Sequence, residues 1–146
     1  MAQTRRSTAV WKGTGKEGSG TVSTTSGVLK DTPHSFTTRF VSEDGKEGTN
    51  PEELIAAAHA SCFTLKLSFV LAAAGHTPDE LTCTASVKLD KVGDGQGVVG
   101  IHLDLTGRVK GISAEEFQRC AEDAKVSCPI SQLLKSVPIT LEAKLV

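Results

Sequence analysis

Asn50-Pro51-Glu52-Glu53-Leu54-Ile55-Ala56-Ala57-Ala58-His59-Ala60-Ser61-Cys62-Phe63 is the stretch whose reading decides the fold. Asn50 suits an N-cap, because its side-chain oxygen accepts from backbone N–H groups that a first helical turn leaves free. Pro51 fits the first helical position, and Glu52 and Glu53 lie at the positive end of the helix dipole. From Leu54 to Ala74 only His59 and Lys66 can carry charge, while Ala, Leu, Phe and Val fall on nearly every face. Such a helix needs protein on most sides, which predicts a long buried central helix. Gly75 ends it as a left-handed cap, and Pro78 blocks a restart. Lys66 interrupts the apolar run below the roughly 20 residues a bilayer needs, so a core helix is expected and not a membrane span.

Upstream, the β-branched and small residues of Thr8 to Lys12 and Gly20 to Thr25, joined by the glycine-rich Gly13 to Gly20, predict a hairpin. Those glycines make a poor phosphate loop, because a strand and not a helix N-terminus follows them. Ser35 to Val41 sets Phe36, Thr38 and Phe40 at every second position, predicting a half-buried strand with Arg39 on the opposite face. Downstream, Leu81, Cys83, Ala85, Val87 and Leu89 alternate with polar residues. After a turn over Gly93 to Gly97, Val99 to Val109 returns as a second strand with Ile101, Leu103 and Leu105 on its apolar face. Ser113, with Glu116 three residues on, starts a second helix carrying Phe117, Cys120, Ala121 and Ala124 at helical spacing. Pro129 restarts a short helix with Cys128 at its N-cap, and Ile139 to Leu145 alternates as a final strand. The predicted order is βββ-α-ββ-α-α-β, an α+β fold in a single domain over residues 1–146.

The 146 residues carry a net charge of −1, which gives no electrostatic reason to expect nucleic acid or an anionic membrane as partner. Arg5 and Arg6 precede no apolar stretch, so no secretory leader is expected and the expected location is the reducing cytoplasm. Four cysteines with no CxxC pair make neither a disulfide framework nor the usual structural zinc site. Any function of the cysteines is then expected to be reactive thiol chemistry. A thiol of pKa about 8.5 becomes a useful nucleophile when a cation, a helix N-terminus or a metal favours its thiolate. Cys128 has such a helix start in its own sequence; Cys62 lies inside a helix and needs a cation from elsewhere. Cys83 and Cys120 fall on apolar faces and are expected in the core. Taken alone, the residues leave a thiol enzyme, a metal-binding or redox-sensing protein using His59, Cys62 and Cys128, and a noncatalytic small-molecule binder all open.

Phe36-Thr37-Thr38-Arg39-Phe40, Gly48-Thr49-Asn50-Pro51-Glu52-Glu53-Leu54, Ala57-Ala58-His59-Ala60-Ser61-Cys62-Phe63 and Cys128-Pro129-Ile130-Ser131-Gln132-Leu133-Leu134-Lys135 resemble the OsmC proteins of the OsmC and organic hydroperoxide resistance family. The resemblance runs over essentially the whole chain. It implies an OsmC-like fold built as an intertwined homodimer around the long helices. It further implies a thiol peroxidase that reduces organic hydroperoxides, and hydrogen peroxide less efficiently, with sites formed between subunits. On this sequence Cys62 is then the peroxidatic thiol and Cys128 the resolving one. Arg39 is the cation beside Cys62, and one of Glu52 and Glu53, with Glu52 favoured, orients it. No metal, flavin or haem is implied; the partner is a dithiol reductant, thioredoxin-like or lipoyl. Phe63, Leu67, Ile130 and Leu134 are candidates for the organic group's pocket.

Overall fold

The computed structural model describes residues 1–146, which form two compact units, 1–54 and 55–146. In the first, strands β1 (Ser7–Lys12), β2 (Ser19–Thr24) and β3 (Thr32–Ser35) make an antiparallel sheet in the order β1-β2-β3. Register sets Trp11 opposite Gly20 and Gly20 opposite His34. The strand expected over Ser35 to Val41 is not formed: β3 stops at Ser35, and Phe36–Phe40 is a short helix, α1. The reason is local. Ser35 caps the helix by accepting from the Thr38 N–H at 3.1 Å, and Thr38 Oγ1 accepts from the Ser35 N–H at 2.8 Å, a complete capping box. Phe36 and Phe40, four residues apart, meet with ring centroids 4.9 Å apart, as helical neighbours do. An apolar pair at spacing four thus satisfies a period of two or of 3.6, and the cap decides.

Helix α2 (Pro51–Ala73) begins at the end of the first unit and continues into the second. Asn50 Oδ1 accepts from the Glu53 N–H at 2.8 Å. At the other end Gly75, at φ 86°, lets the Gly75 N–H reach Ala72 O at 3.0 Å and the His76 N–H reach Leu71 O at 2.9 Å, a double C-terminal closure. By length and composition α2 could cross a bilayer. Within the chain it buries one stripe, His59, Phe63, Leu67 and Leu71, at spacing four, while Leu65 and Phe69 on another face stay 61% and 65% exposed. Cover on most sides, which its composition calls for, is therefore not supplied by one chain.

In the second unit β4 (Pro78–Val92), β5 (Gly95–Val109) and β6 (Ile139–Leu145) form a sheet in that order, β4 antiparallel and β6 parallel to β5. The β4–β5 turn is tighter than expected: Gly93, at φ 58°, lets pairing continue to Val92 opposite Gly95, although Gly95-Gln96-Gly97 has no apolar alternation. The crossover from β5 to β6 holds α3 (Ala114–Ser127) and α4 (Pro129–Leu133). Ser113 accepts from the Glu116 N–H at 3.1 Å. The Glu116 carboxylate turns instead to His76 and Arg119, at 3.4 and 3.6 Å. Phe63, Leu67 and Leu71 of α2, Ile101, Leu103 and Leu105 of β5, and Phe117 and Ala121 of α3 form the core. Phe117 lies on the backbone of Gly107, where a Cβ would come 2.3 Å from its Cζ. Burial of one such ring stabilises the unit by about 3 kcal/mol.

Candidate active site

Two free thiols meet in the second unit. Cys62 projects from the middle of α2, and Cys128 is at once the residue that ends α3 and the N-cap of α4. Their sulfurs lie 3.2 Å apart, the Cys128 thiol donating to Cys62 Sγ. Pro129 explains the bend between the helices, since it has no N–H to continue α3 but a backbone angle suited to a first helical position. Cys128 is fully buried, whereas Cys62 keeps partial exposure. Oxidised to a disulfide, with an S–S bond of about 2.05 Å, the pair needs only a small closing movement.

The free amide of the α4 start serves Cys62 and not Cys128, the reverse of what local sequence implies. The Cys128 side chain caps nothing, while the Ile130 backbone amide acts on the Cys62 thiol and lowers its pKa. Burial pushes the Cys62 thiol above the ordinary range, the Ile130 amide pulls it down, and the neighbouring Cys128 adds to the rise. Within the second unit the influences on Cys62 include no cation. Cys83 and Cys120 are more inert still in their placement: both sit against the core, and burial together with Asp104 pushes Cys83 up to about 11.

His59, one helical turn before Cys62, is fully buried and its Nε2 meets Ser131 Oγ at 2.8 Å. Burial lowers its pKa, so the ring is neutral at physiological pH. With Nε2 engaged by Ser131 and Nδ1 buried without a partner, His59 does not join the cysteines as a metal ligand set, and no group of three or more His, Cys, Asp or Glu side chains is placed to share an ion. Phe63 and Leu67 belong wholly to the core, on the buried stripe of α2.

In the first unit Arg39 is gripped by Glu52 through two parallel bonds, Nη2 to Oε1 at 2.7 Å and Nε to Oε2 at 3.2 Å. Of the two candidate glutamates Glu52 takes the guanidinium; Glu53 accepts from Thr49 Oγ1 at 2.9 Å instead. The fork leaves one face of Arg39 against the Phe40 ring, 5.0 Å from its centroid, and the side chain 37% exposed. A recess of about 250 Å³ opens beside it, walled by Trp11, His34, Phe36, Phe40 and Asn50. His34 contributes a buried Nε2 that has no hydrogen-bond partner.

The structure thus brings Cys62 to Cys128 in one unit and Arg39 to Glu52 in the other. Sequence reasoning missed Ser131 and the Ile130 amide. For Ser131 the available signal was the matched spacing His59-x-x-Cys62 and Cys128-x-x-Ser131, three residues in each pair; the Ile130 amide had none.

The model for the family described as OsmC-like protein matches residues 43–142. Peroxiredoxin OsmC of Escherichia coli is 48% identical over 141 residues, 97% of this chain and 96% of that one. The organic hydroperoxide resistance protein of Xanthomonas axonopodis pv. citri is 35% identical over 109 residues, 72% of this chain and 73% of its own. Among solved structures, an OsmC-like protein from Mycoplasma pneumoniae superposes with a TM-score of 0.76 at 16% identity, covering 100% of this chain and 99% of that one, a likeness of fold. The organic hydroperoxide resistance protein OhrB of Bacillus subtilis does so with a TM-score of 0.66 at 27% identity, covering 95% and 98%.

Proposed function

We propose that this chain, which belongs to the OsmC-like protein family, is a cysteine-based peroxidase that reduces organic hydroperoxides through Cys62 and Cys128. The observation that carries the reading is the 3.2 Å contact between two free sulfurs, one partly exposed and one buried. The Cys62 thiolate attacks the distal peroxide oxygen, the O–O bond breaks, and an alkoxide leaves to be protonated as the alcohol. Cys62 becomes a sulfenic acid. The Cys128 sulfur then attacks Cys62, a disulfide forms, and water departs with the Cys128 proton. An external dithiol, thioredoxin-like or lipoyl, exchanges with the disulfide and restores both thiols.

Arg39 supplies the cation that the surroundings of Cys62 lack in one chain, and it donates to the oxygens as negative charge develops there. Glu52 holds the guanidinium in a fixed orientation. The resemblance to OsmC proteins favours an intertwined homodimer, with Arg39 reaching Cys62 in sites formed between subunits. The exposed Leu65 and Phe69 face of α2 supports the same assembly, since an apolar helix face of this kind calls for cover. Residues 1–146 act in it as one OsmC-like domain, in a reducing, cytoplasmic setting suited to four free thiols.

Thiol counting tests the proposal. Reduced wild type is expected to lose two thiols per equivalent of cumene hydroperoxide. Cys128→Ser should consume one equivalent and stop as a sulfenic acid, and Cys62→Ser should consume none. Consumption by Cys62→Ser at the wild-type rate would overturn the assignment.

A further inference from the structure

The hydrogen bond between His59 and Ser131 has no part in the steps above, yet it is the one side-chain bond between nitrogen and oxygen groups that ties α4 to α2. Both residues are buried, His59 fully and Ser131 to 4% exposure. Each stands three residues from a thiol on its own element: His59 before Cys62 on α2, Ser131 after Cys128 at the α4 start. The bond therefore runs beside the sulfur–sulfur contact, one helical turn away. Apart from the sulfur–sulfur contact and the Ile130 amide acting on Cys62, the polar ties of α4 point elsewhere: the Cys128 N–H goes to Ala124 O on α3, and the Gln132 side chain goes to Val126 O. Without His59–Ser131, the five-residue helix is held to α2 only at the sulfurs and by apolar packing.

We propose that His59 and Ser131 are positioning residues for the thiol pair: their buried hydrogen bond clamps α4 onto α2 and so sets how fast Cys128 captures oxidised Cys62. The inference rests on the peroxidase reading for its chemistry. In the step it governs, Cys62–SOH and Cys128–SH form the disulfide and release water. The same clamp keeps the Ile130 amide on the Cys62 sulfur. A displacement of reacting atoms by about 1 Å costs on the order of 10²-fold in rate, so a loosened α4 should slow closure by about tenfold or more.

The test uses the full chain with Ser131→Ala, which removes the hydroxyl, and Ser131→Thr, which restores one. His59→Phe, which removes both ring nitrogens, is the second perturbation should Ser131→Ala fold poorly, with His59→Gln, which keeps a donor, as its conservative partner. In single-turnover mixing with cumene hydroperoxide, peroxide loss reports the first step, and trapping with dimedone reports the sulfenic acid. Ser131→Ala is expected to accumulate sulfenic acid and close its disulfide about tenfold more slowly or worse, with Ser131→Thr and His59→Gln returning toward wild type. A loss of stability alone would lower the folded fraction without lengthening the life of the sulfenic acid. In dithiothreitol redox buffers, which need no peroxide, the Ser131→Ala disulfide should form at least about tenfold less favourably. Closure in Ser131→Ala as fast as in wild type, or Ser131→Thr no better than Ser131→Ala, overturns the clamp. Peroxide left unconsumed by wild type would overturn the peroxidase reading instead, and the redox-buffer comparison would still decide on the clamp.

Discussion

Gly107→Ala adds one methyl group at the tightest backbone approach in the second unit. The new Cβ would lie 2.3 Å from Phe117 Cζ, 2.5 Å from Cε2 and 3.3 Å from Leu81 Cδ2. Carbon atoms rest at about 3.5–4.0 Å, so the ring must withdraw by more than about 1 Å. Phe117 is 1% exposed and surrounded by the core, so a withdrawing ring pushes on buried neighbours. Overpacking of this kind costs about 1–3 kcal/mol, and the size of the required movement argues for the upper end. For a chain of this length about 3 kcal/mol corresponds to a fall in Tm of roughly 6–12 °C. Urea unfolding of Gly107→Ala at fixed protein concentration should show a lower midpoint with an unchanged slope. Gly107→Ala combined with Phe117→Leu should lose less than the sum of the two single changes, because the smaller side chain makes room for the methyl. A Tm within a degree or so of wild type for Gly107→Ala would refute the steric account, as would strict additivity in the double variant.

Arg39→Ala should raise the Cys62 pKa and slow its oxidation while leaving the Cys128 step intact; the thiolate's ultraviolet absorbance against pH measures the first effect, and an unchanged titration would remove Arg39 from the mechanism. His59 gives stability a pH dependence of known sign. Its folded pKa lies below the ordinary 6.5, so the unfolded chain binds the proton first as pH falls. The contribution is whole above about pH 6.5 and declines below it, and unfolding at about pH 7.5 and about pH 5.5 should show that loss in wild type but not in His59→Phe. Equal sensitivity to acid in the two proteins would contradict it.

Both ends of α2 are legible from sequence because their signals are chemical and local: Asn50 accepts the Glu53 N–H, and Gly75 adopts the left-handed angle that the final turn requires. The alternation of β4 and β5 is equally readable, since one face packs and the other meets solvent. Phe36 to Phe40 was ambiguous for a definable reason, the spacing of four that suits both periods, and the reciprocal Ser35–Thr38 bonds that resolve it are side-chain events. The extra pairing at Gly95 to Gly97 depends on a turn conformation and not on hydrophobic pattern. At the site, the residue types Cys62, Cys128, Arg39 and Glu52 could be named from motifs. Which amide serves which sulfur could not, because the Ile130 N–H reaches Cys62 across 68 positions of chain, from 62 to 130. Ser131 stayed hidden for the same reason: a single serine gains meaning only when a distant histidine is set against it.

The parallel pairing of β5 with β6 has a consequence for how the thiol pair comes into being. Parallel neighbours cannot be joined by a tight turn, so the polypeptide must travel back along the sheet before β6 can dock, and Cys128 rides on that return path between α3 and α4. During synthesis Cys62 emerges 66 residues before Cys128, because the return path lies between them. On the proposed chemistry, a nascent chain met by oxidant in that interval would carry a sulfenic acid with no neighbour to trap it.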